Sequence, residues 1–190
     1  MRIYLASHSA RRRELLALLG VGFEVISMDL DEAPVTGELP PDYVVRLARA
    51  KAEAGWREVE EKSLPRLPVL GSDTTVALDG RVFGKPADGR EAGEMLAALS
   101  ARTHEVLTAV AIRFEERTEN ALSVSEVSFK ILSAENIQQY LATGEWQGMA
   151  GAYAVQGAAA RFVTELRGSF SGVMGLPLCE TARLLERIGR

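Results

Sequence analysis

Val69-Leu70-Gly71-Ser72-Asp73-Thr74-Thr75-Val76-Ala77-Leu78, followed by Asp79-Gly80 and then Arg81-Val82-Phe83, is the stretch that decides the fold. From Pro68 to Leu78 apolar and β-branched residues fall on both parities, as in a strand buried on both faces. Asp79-Gly80 is a pair suited to a two-residue hairpin turn, where positive φ is required, so the chain should fold straight back into Arg81–Phe83. One residue conflicts with this apolar setting. A carboxylate in mid-strand, Asp73, carries a desolvation penalty that a partner, a metal ion or a catalytic role must offset.

The flanking sequence alternates strand and helix character, which gives an α/β class. Upstream, Arg2–Ala6 and Phe23–Ser27 read as strands. Between them Arg11–Leu19 reads as a helix, with Ser9 as N-cap and Gly20 as its stop. Pro40 and Pro41 open a longer helix to about Glu60. Downstream, Asp88 with Glu91 starts a helix ending near Leu99. Long strands are expected at His104–Glu115 and Leu122–Leu132, joined by an exposed loop over Glu116–Ala121. Ser133 caps a helix to about Ala142, Gly148–Gln156 and Arg161–Leu166 read as further strands, and Pro177 starts a last helix.

With 190 residues, 47% hydrophobic and 25% charged, the chain is expected to fold as a single domain, 1–190, with a sizeable core rather than as a disordered segment. Its net charge of −4 argues against a bulk nucleic-acid binder. No apolar run approaches the roughly 20 residues needed to cross a bilayer, and the amino terminus lacks a signal-peptide layout, so a cytoplasmic protein is expected. One cysteine, Cys179, excludes an internal disulfide, and it reads as a buried small apolar residue. Two histidines and one cysteine do not make a structural zinc site, so any metal would be a hard cation on carboxylates. There is no Walker-type phosphate loop and no Gly-x-Gly-x-x-Gly fingerprint.

Five clusters carry chemistry, each with two readings. Ser7-His8-Ser9-Ala10-Arg11-Arg12-Arg13 lies between a strand and a helix start, where unpaired N–H groups favour anions. It is either a phosphate-binding corner or a solvated helix face with a serine cap. Lys51 shares an apolar helix face with Val44, Leu47 and Ala54, and either snorkels to the rim or reaches a cleft. Asp73 is either paired structurally or functional. Lys85, in Gly84-Lys85-Pro86, returns to the neighbourhood of Asp73 after the hairpin, as a salt-bridge partner or a phosphate clamp. Asp29, Asp31 and Glu32 are a solvated acidic cluster or ligands for Mg²⁺, which commonly takes one or two carboxylates plus phosphate oxygens.

In order along the chain, Leu5-Ala6-Ser7-His8-Ser9-Ala10-Arg11-Arg12-Arg13-Glu14-Leu15-Leu16, Arg46-Leu47-Ala48-Arg49-Ala50-Lys51-Ala52, Gly71-Ser72-Asp73-Thr74, Gly84-Lys85-Pro86, Gly151-Ala152-Tyr153-Ala154-Val155-Gln156-Gly157 and Gly175-Leu176-Pro177-Leu178 resemble the Maf family of nucleoside triphosphate pyrophosphatases. The resemblance implies a Maf/ITPase-like fold: a mixed central sheet flanked by helices, with two lobes around a cleft. It implies hydrolysis of a nucleoside triphosphate to monophosphate and pyrophosphate, assisted by Mg²⁺ or Mn²⁺. Asp73 would accept the proton of the attacking water. Ser7, Arg12, Lys51 and Lys85 would hold the triphosphate, and Glu32 with Asp73 the metal.

Thr74 and Gln156 resemble the subgroup acting on dTTP and UTP, so Arg11, Thr74 and Gln156 would select the base. The alternatives are a 7-methyl-GTP or altered-purine triphosphate pyrophosphatase, or a nucleotide-binding cell-division regulator. A homodimer is common among look-alikes. The chain departs from the family pattern at His8, Ala10 and Ala101, where glycine, proline and glycine are usual, which bears on loop geometry rather than on the reaction.

Overall fold

The computed structural model describes residues 1–27 and 30–188. Asp29, one of the acidic cluster, lies outside the described residues. Strands β1 (Arg2–Ala6), β2 (Gly22–Val25), β3 (Val69–Leu78), β4 (Arg81–Phe83), β5 (Thr103–Phe114), β6 (Arg117–Phe129) and β7 (Val163–Arg167) form one mixed sheet. Its order is β2-β1-β3-β5-β6-β7, with β4 paired to β3. The first three pair in parallel, and the rest are antiparallel. The helices are α1 (Ala10–Ala17), α2 (Pro40–Glu61), α3 (Gly89–Leu99), α4 (Ala134–Leu141), α5 (Phe170–Met174) and α6 (Leu178–Ile188).

Side-chain parity divides the core. On β1, Ile3 and Leu5 join Leu70, Val110 and Ile112 beneath α1 and α6. Tyr4 and Ala6 point the other way, with Val69 and Trp56 of α2. Thus α1 and α2 cover opposite faces. Further along the α1 face a second cluster gathers Val76, Val106, Phe129, Leu96 of α3 and Tyr140 of α4. Met174 packs against both clusters, and these two masses are the expected lobes.

The sheet has a gap that matters. The β1–β3 pairing ends at Ala6↔Gly71, and the β4–β3 pairing begins at Val76↔Phe83. Ser72–Thr75 therefore lack a strand partner on that side, beside the carboxyl end of β1. Open sheets bind ligands at such a place, where the chain leaves a middle strand and returns on its other side.

Several expectations change. Gly148–Gln156 is not a strand: a 3-10 turn spans Ala150–Ala152, with positive φ at Gly148, Gly151 and Ala152. A Cβ on Gly151 would come within 2.8 Å of Val76, so this backbone packs directly on β3. The Glu116–Ala121 loop is absent as well. Phe114 pairs with Arg117 across a two-residue turn at Glu115-Glu116. The polar residues there are a solvent-facing strand surface, tied by the Arg113–Thr118 hydrogen bond and the Arg117–Glu119 ion pair. Cys179 is exposed, because α6 buries Thr181, Leu184, Leu185 and Ile188 instead. Strand β2 begins and ends earlier than expected. The Asp79-Gly80 turn, with φ of 52° and 75°, and the caps at Ser9, Asp88 and Ser133 form as read. No helix among the described residues is long and apolar enough to cross a membrane.

Candidate functional site

The loop leaving β1 enters α1 through Ser9, whose hydroxyl accepts from Arg12 N at 3.4 Å. Ser7 Oγ in turn accepts from Ser9 N at 3.2 Å. Arg12 then reaches across the gap. Its Nε donates to the Gly175 carbonyl (2.9 Å), Nη1 to Ser7 Oγ (3.3 Å) and Nη2 to Thr74 Oγ1 (3.3 Å). One guanidinium thus joins α1, β3 and the segment after α5. Burial pulls the Arg12 pKa down from its ordinary value, with the nearby charges of Asp73 and Glu32 working the other way.

On the opposite face Asp73 meets Lys51 of α2. Lys51 Nζ donates to Asp73 Oδ1 at 2.6 Å and lies 2.7 Å from Glu32 Oε1. Lys51 is 4% and Asp73 7% exposed. This contact answers the Lys51 question: the ammonium does not snorkel to solvent but ends among carboxylates. Burial disfavours ionisation of Glu32, yet the hydrogen bond from Lys51 and the charges of Lys51, Lys85 and Arg12 outweigh it and hold its carboxyl below the usual range.

The close approach is built by Gly71. A Cβ there would lie 2.4 Å from Ala48 O and 2.5 Å from Ala52 N, so only glycine lets α2 press this near to β3. Because successive strand residues alternate faces, Asp73 and Thr74 point to opposite sides of the sheet. The unpaired edge at Ser72–Thr75 lets both border one opening.

That opening is a cleft of about 550 Å³. Ser7, Arg11, Arg12, Glu32, Lys51, Asp73, Thr74, Lys85 and Gln156 all line it, so the structure brings together the site residues the family resemblance implies, while Asp31 of the acidic cluster lies outside the lining and accepts from Ala33 N at 2.9 Å. Arg11 is half-buried, and burial lowers its pKa, with Glu14 and Tyr140 partly offsetting this. Gln156 is exposed at the rim. His8, one of the family departures, also lines the opening. His104 does not join His8 there. It is buried and contacts the Tyr153 hydroxyl through Nε2 at 2.8 Å.

The sequence reading missed the apolar wall: Val76, Val106, Met149, Val155, Val173 and Met174. Nothing local distinguishes such residues from ordinary core. Only the folded arrangement brings them to the cleft lining, Val76 and Val106 from the sheet face opposite Asp73 and Lys51. The arrangement suits a ligand with a multiply charged end and a flat, partly apolar end.

The donor set also fits a small hard cation. Glu32 and Asp73 each present an oxygen to the same ammonium, so those oxygens lie within two hydrogen-bond lengths of each other. Both are hard oxygen donors lining the cleft, the kind of which Mg²⁺ commonly takes one or two, with phosphate oxygens and water supplying the rest. No cluster of three or more His, Cys, Asp or Glu residues capable of holding a metal by themselves occurs among the described residues.

A "dTTP/UTP pyrophosphatase" from Aromatoleum aromaticum is 52% identical, over 99% of this chain and 96% of its own length. One of the same description from Nitrosomonas europaea is 50% identical, over 98% and 94%. Among solved structures, the Staphylococcus aureus Ham1 protein superposes with a TM-score of 0.45 at 16% identity, over 68% of this chain and 72% of that one. The family model described as "Maf-like protein" matches residues 2–188, and the chain therefore belongs to the Maf family.

Proposed function

We propose that the protein hydrolyses dTTP and UTP to the nucleoside monophosphate and pyrophosphate. The observation that carries this reading is the convergence of Ser7, Arg12, Lys51 and Lys85 with one inward-facing acid, Asp73, in a single cleft. The names of the full-length relatives support it. A triphosphate brings several negative charges, and its hydrolysis is accelerated mainly by positioning and charge neutralisation.

In this reading Ser7, Arg12, Lys51 and Lys85 hold the triphosphate. Lys51 engages Asp73 Oδ1 and so orients the carboxylate, leaving Oδ2 to take a proton from water. The water oxygen bonds to the α-phosphorus, the α–β bridging oxygen departs with pyrophosphate, and the proton passes to Asp73. Glu32 and Asp73 would hold a divalent cation, Mg²⁺ or Mn²⁺, which when bound neutralises phosphate charge and acidifies a coordinated water. Arg11, Thr74 and Gln156 border the base. A neutral amide at Gln156 both donates and accepts, which suits the O4 and N3–H edge of uracil or thymine. The role is house-cleaning of unwanted or modified pyrimidine nucleotides in the cytoplasm.

The test is product analysis in ¹⁸O-labelled water with dTTP or UTP and Mg²⁺ or Mn²⁺. Pyrophosphate is expected, with the label in the monophosphate. Orthophosphate without pyrophosphate, or label in the pyrophosphate, overturns the bond assignment. Asp73→Asn should bind nucleotide without turning it over. A preference for 7-methyl-GTP over both pyrimidine nucleotides would move the substrate assignment to the other subgroup.

A further inference from the structure

Arg46 belongs to the sequence block that also holds Lys51, yet it does not line the cleft. Its contacts lie with the segment that carries Glu32. Residues 31–39 contain no helix or strand, and all of them but Glu38 are exposed. Neither a backbone ladder nor core packing therefore fixes this strap. Even so, the Glu32 carboxylate ends 2.7 Å from the buried Lys51 ammonium.

Side chains of α2 supply the hold. Tyr43 Oη donates to the Glu32 carbonyl at 3.1 Å. One turn along the helix, Arg46 grips the strap at two places. Its Nε and Nη2 donate to Glu38 Oε1 and Oε2 at 2.6 and 2.7 Å, and Nη2 also donates to the Ala33 carbonyl at 3.2 Å. Glu38 Oε2 in turn accepts from Val35 N at 3.2 Å, and Glu38 N donates to the Val35 carbonyl at 3.0 Å. The strap is thus closed on itself and on one guanidinium. A planar fork of this kind fixes direction as well as supplying attraction, which the point charge of a lysine does not. Lys51 rides on the same helix, so α2 sets both sides of the Lys51–Glu32 contact.

We propose that Arg46 is a positioning residue: by clamping the strap at Ala33 and Glu38 it delivers the Glu32 carboxylate to Lys51 at the floor of the cleft. Without the clamp the strap must be ordered each time Glu32 is used, and that conformational entropy falls on the reaction. The inference rests on the proposed pyrophosphatase reading, in which Glu32 acts beside Asp73, and adds what holds Glu32 there.

The experiment compares the wild type, Arg46→Lys, Glu32→Gln and the double variant by two readouts. The first is the ¹³Cε–¹⁵Nζ NMR signal of Lys51, which senses the carboxylate beside it whether or not the enzyme turns over. Arg46→Lys should move this signal in the direction that Glu32→Gln moves it, and should move it no further in the double variant. The second is kcat/KM for dTTP. Arg46→Lys should lower it about tenfold or more, the scale of a misplaced group. The double variant should be no slower than Glu32→Gln alone, because the clamp then has nothing left to position. Glu38→Ala removes the other half of the fork and should reproduce both effects, and it carries the test if Arg46→Lys is recovered unfolded. A Lys51 signal unmoved by Arg46→Lys overturns the inference. So do losses that multiply in the double variant, the behaviour of an Arg46 that matters only for the fold, and so does a Glu38→Ala variant that matches the wild type. A wild type inert toward dTTP and UTP whose Lys51 signal responds as expected overturns the proposed function and leaves the clamp on Glu32 standing.

Discussion

Lys51 Nζ donates to Asp73 Oδ1 at 2.6 Å, across the interface between α2 and β3, and both side chains are nearly excluded from solvent. The same ammonium contacts Glu32, so one cation balances two carboxylates at the floor of the cleft.

Lys51→Met should therefore strand negative charge in a place with little water. Breaking a wholly buried pair costs roughly 3–5 kcal/mol, and the open cleft reduces this to about 2 kcal/mol. Urea denaturation reads the stability, and a pyrophosphate-release assay should read a loss of about a hundredfold or more, the scale of removing one preorganised charged donor. A loss smaller than tenfold would remove Lys51 from the triphosphate-holding set.

Gly71→Ala tests how the pair is assembled. The new Cβ would need space now held by backbone atoms of Ala48 and Ala52, so α2 must move away from β3. Overpacking of this kind costs roughly 1–3 kcal/mol. Because Lys51 rides on α2, turnover should fall by more than the stability loss explains. An unchanged kcat at a temperature where the variant is fully folded would contradict the close-approach argument.

Two of the family departures are readable as local stability terms. Ala101 has φ of 58°, the left-handed region where glycine is unstrained. Ala101→Gly should stabilise by about 0.5–1 kcal/mol despite its greater unfolded-state entropy. Ala10 is the first residue of α1, and Ser9 before it has φ −64° and ψ 119°, a conformation compatible with a following proline. Ala10→Pro should likewise gain about 0.4–1 kcal/mol. Thermal melts check both, and a lowered Tm in either would refute the corresponding argument.

His104 supplies a pH signature. Burial pushes its pKa down to about 4 from the ordinary 6.5. The unfolded chain therefore binds the proton first as pH falls. The stabilising effect of keeping this imidazole neutral is complete above about pH 6.5 and is lost progressively toward about pH 4, a change of roughly 3 kcal/mol. Denaturant midpoints measured from pH 8 to pH 4 should fall more steeply in the wild type than in His104→Gln. Parallel curves would show that His104 does not titrate between these limits.

Much of this protein was legible one segment at a time. The buried strand around Asp73, the Asp79-Gly80 turn, and the caps at Ser9, Asp88 and Ser133 follow from local rules of burial period and turn chemistry, and they form as read. The segment from Gly148 to Gln156 was misread because its apolar content reports burial and not conformation. Its shape is set by backbone packing of Gly151 on Val76, a contact with no local trace. The polar run after Glu116 was misread for the converse reason: polarity marks a wet face, and a strand with one wet face looks like a loop.

The amino-acid order alone determined the kinds of element and named the groups able to do chemistry. Folding decided which of those groups meet. Arg12 reaches Gly175 and Thr74 from distant parts of the chain, and Lys51 reaches Asp73 from a different element. The physical reason is that such meetings depend on strand order, on which face each residue's parity selects, and on how closely α2 can approach β3. These are relations between segments, and no segment carries them by itself.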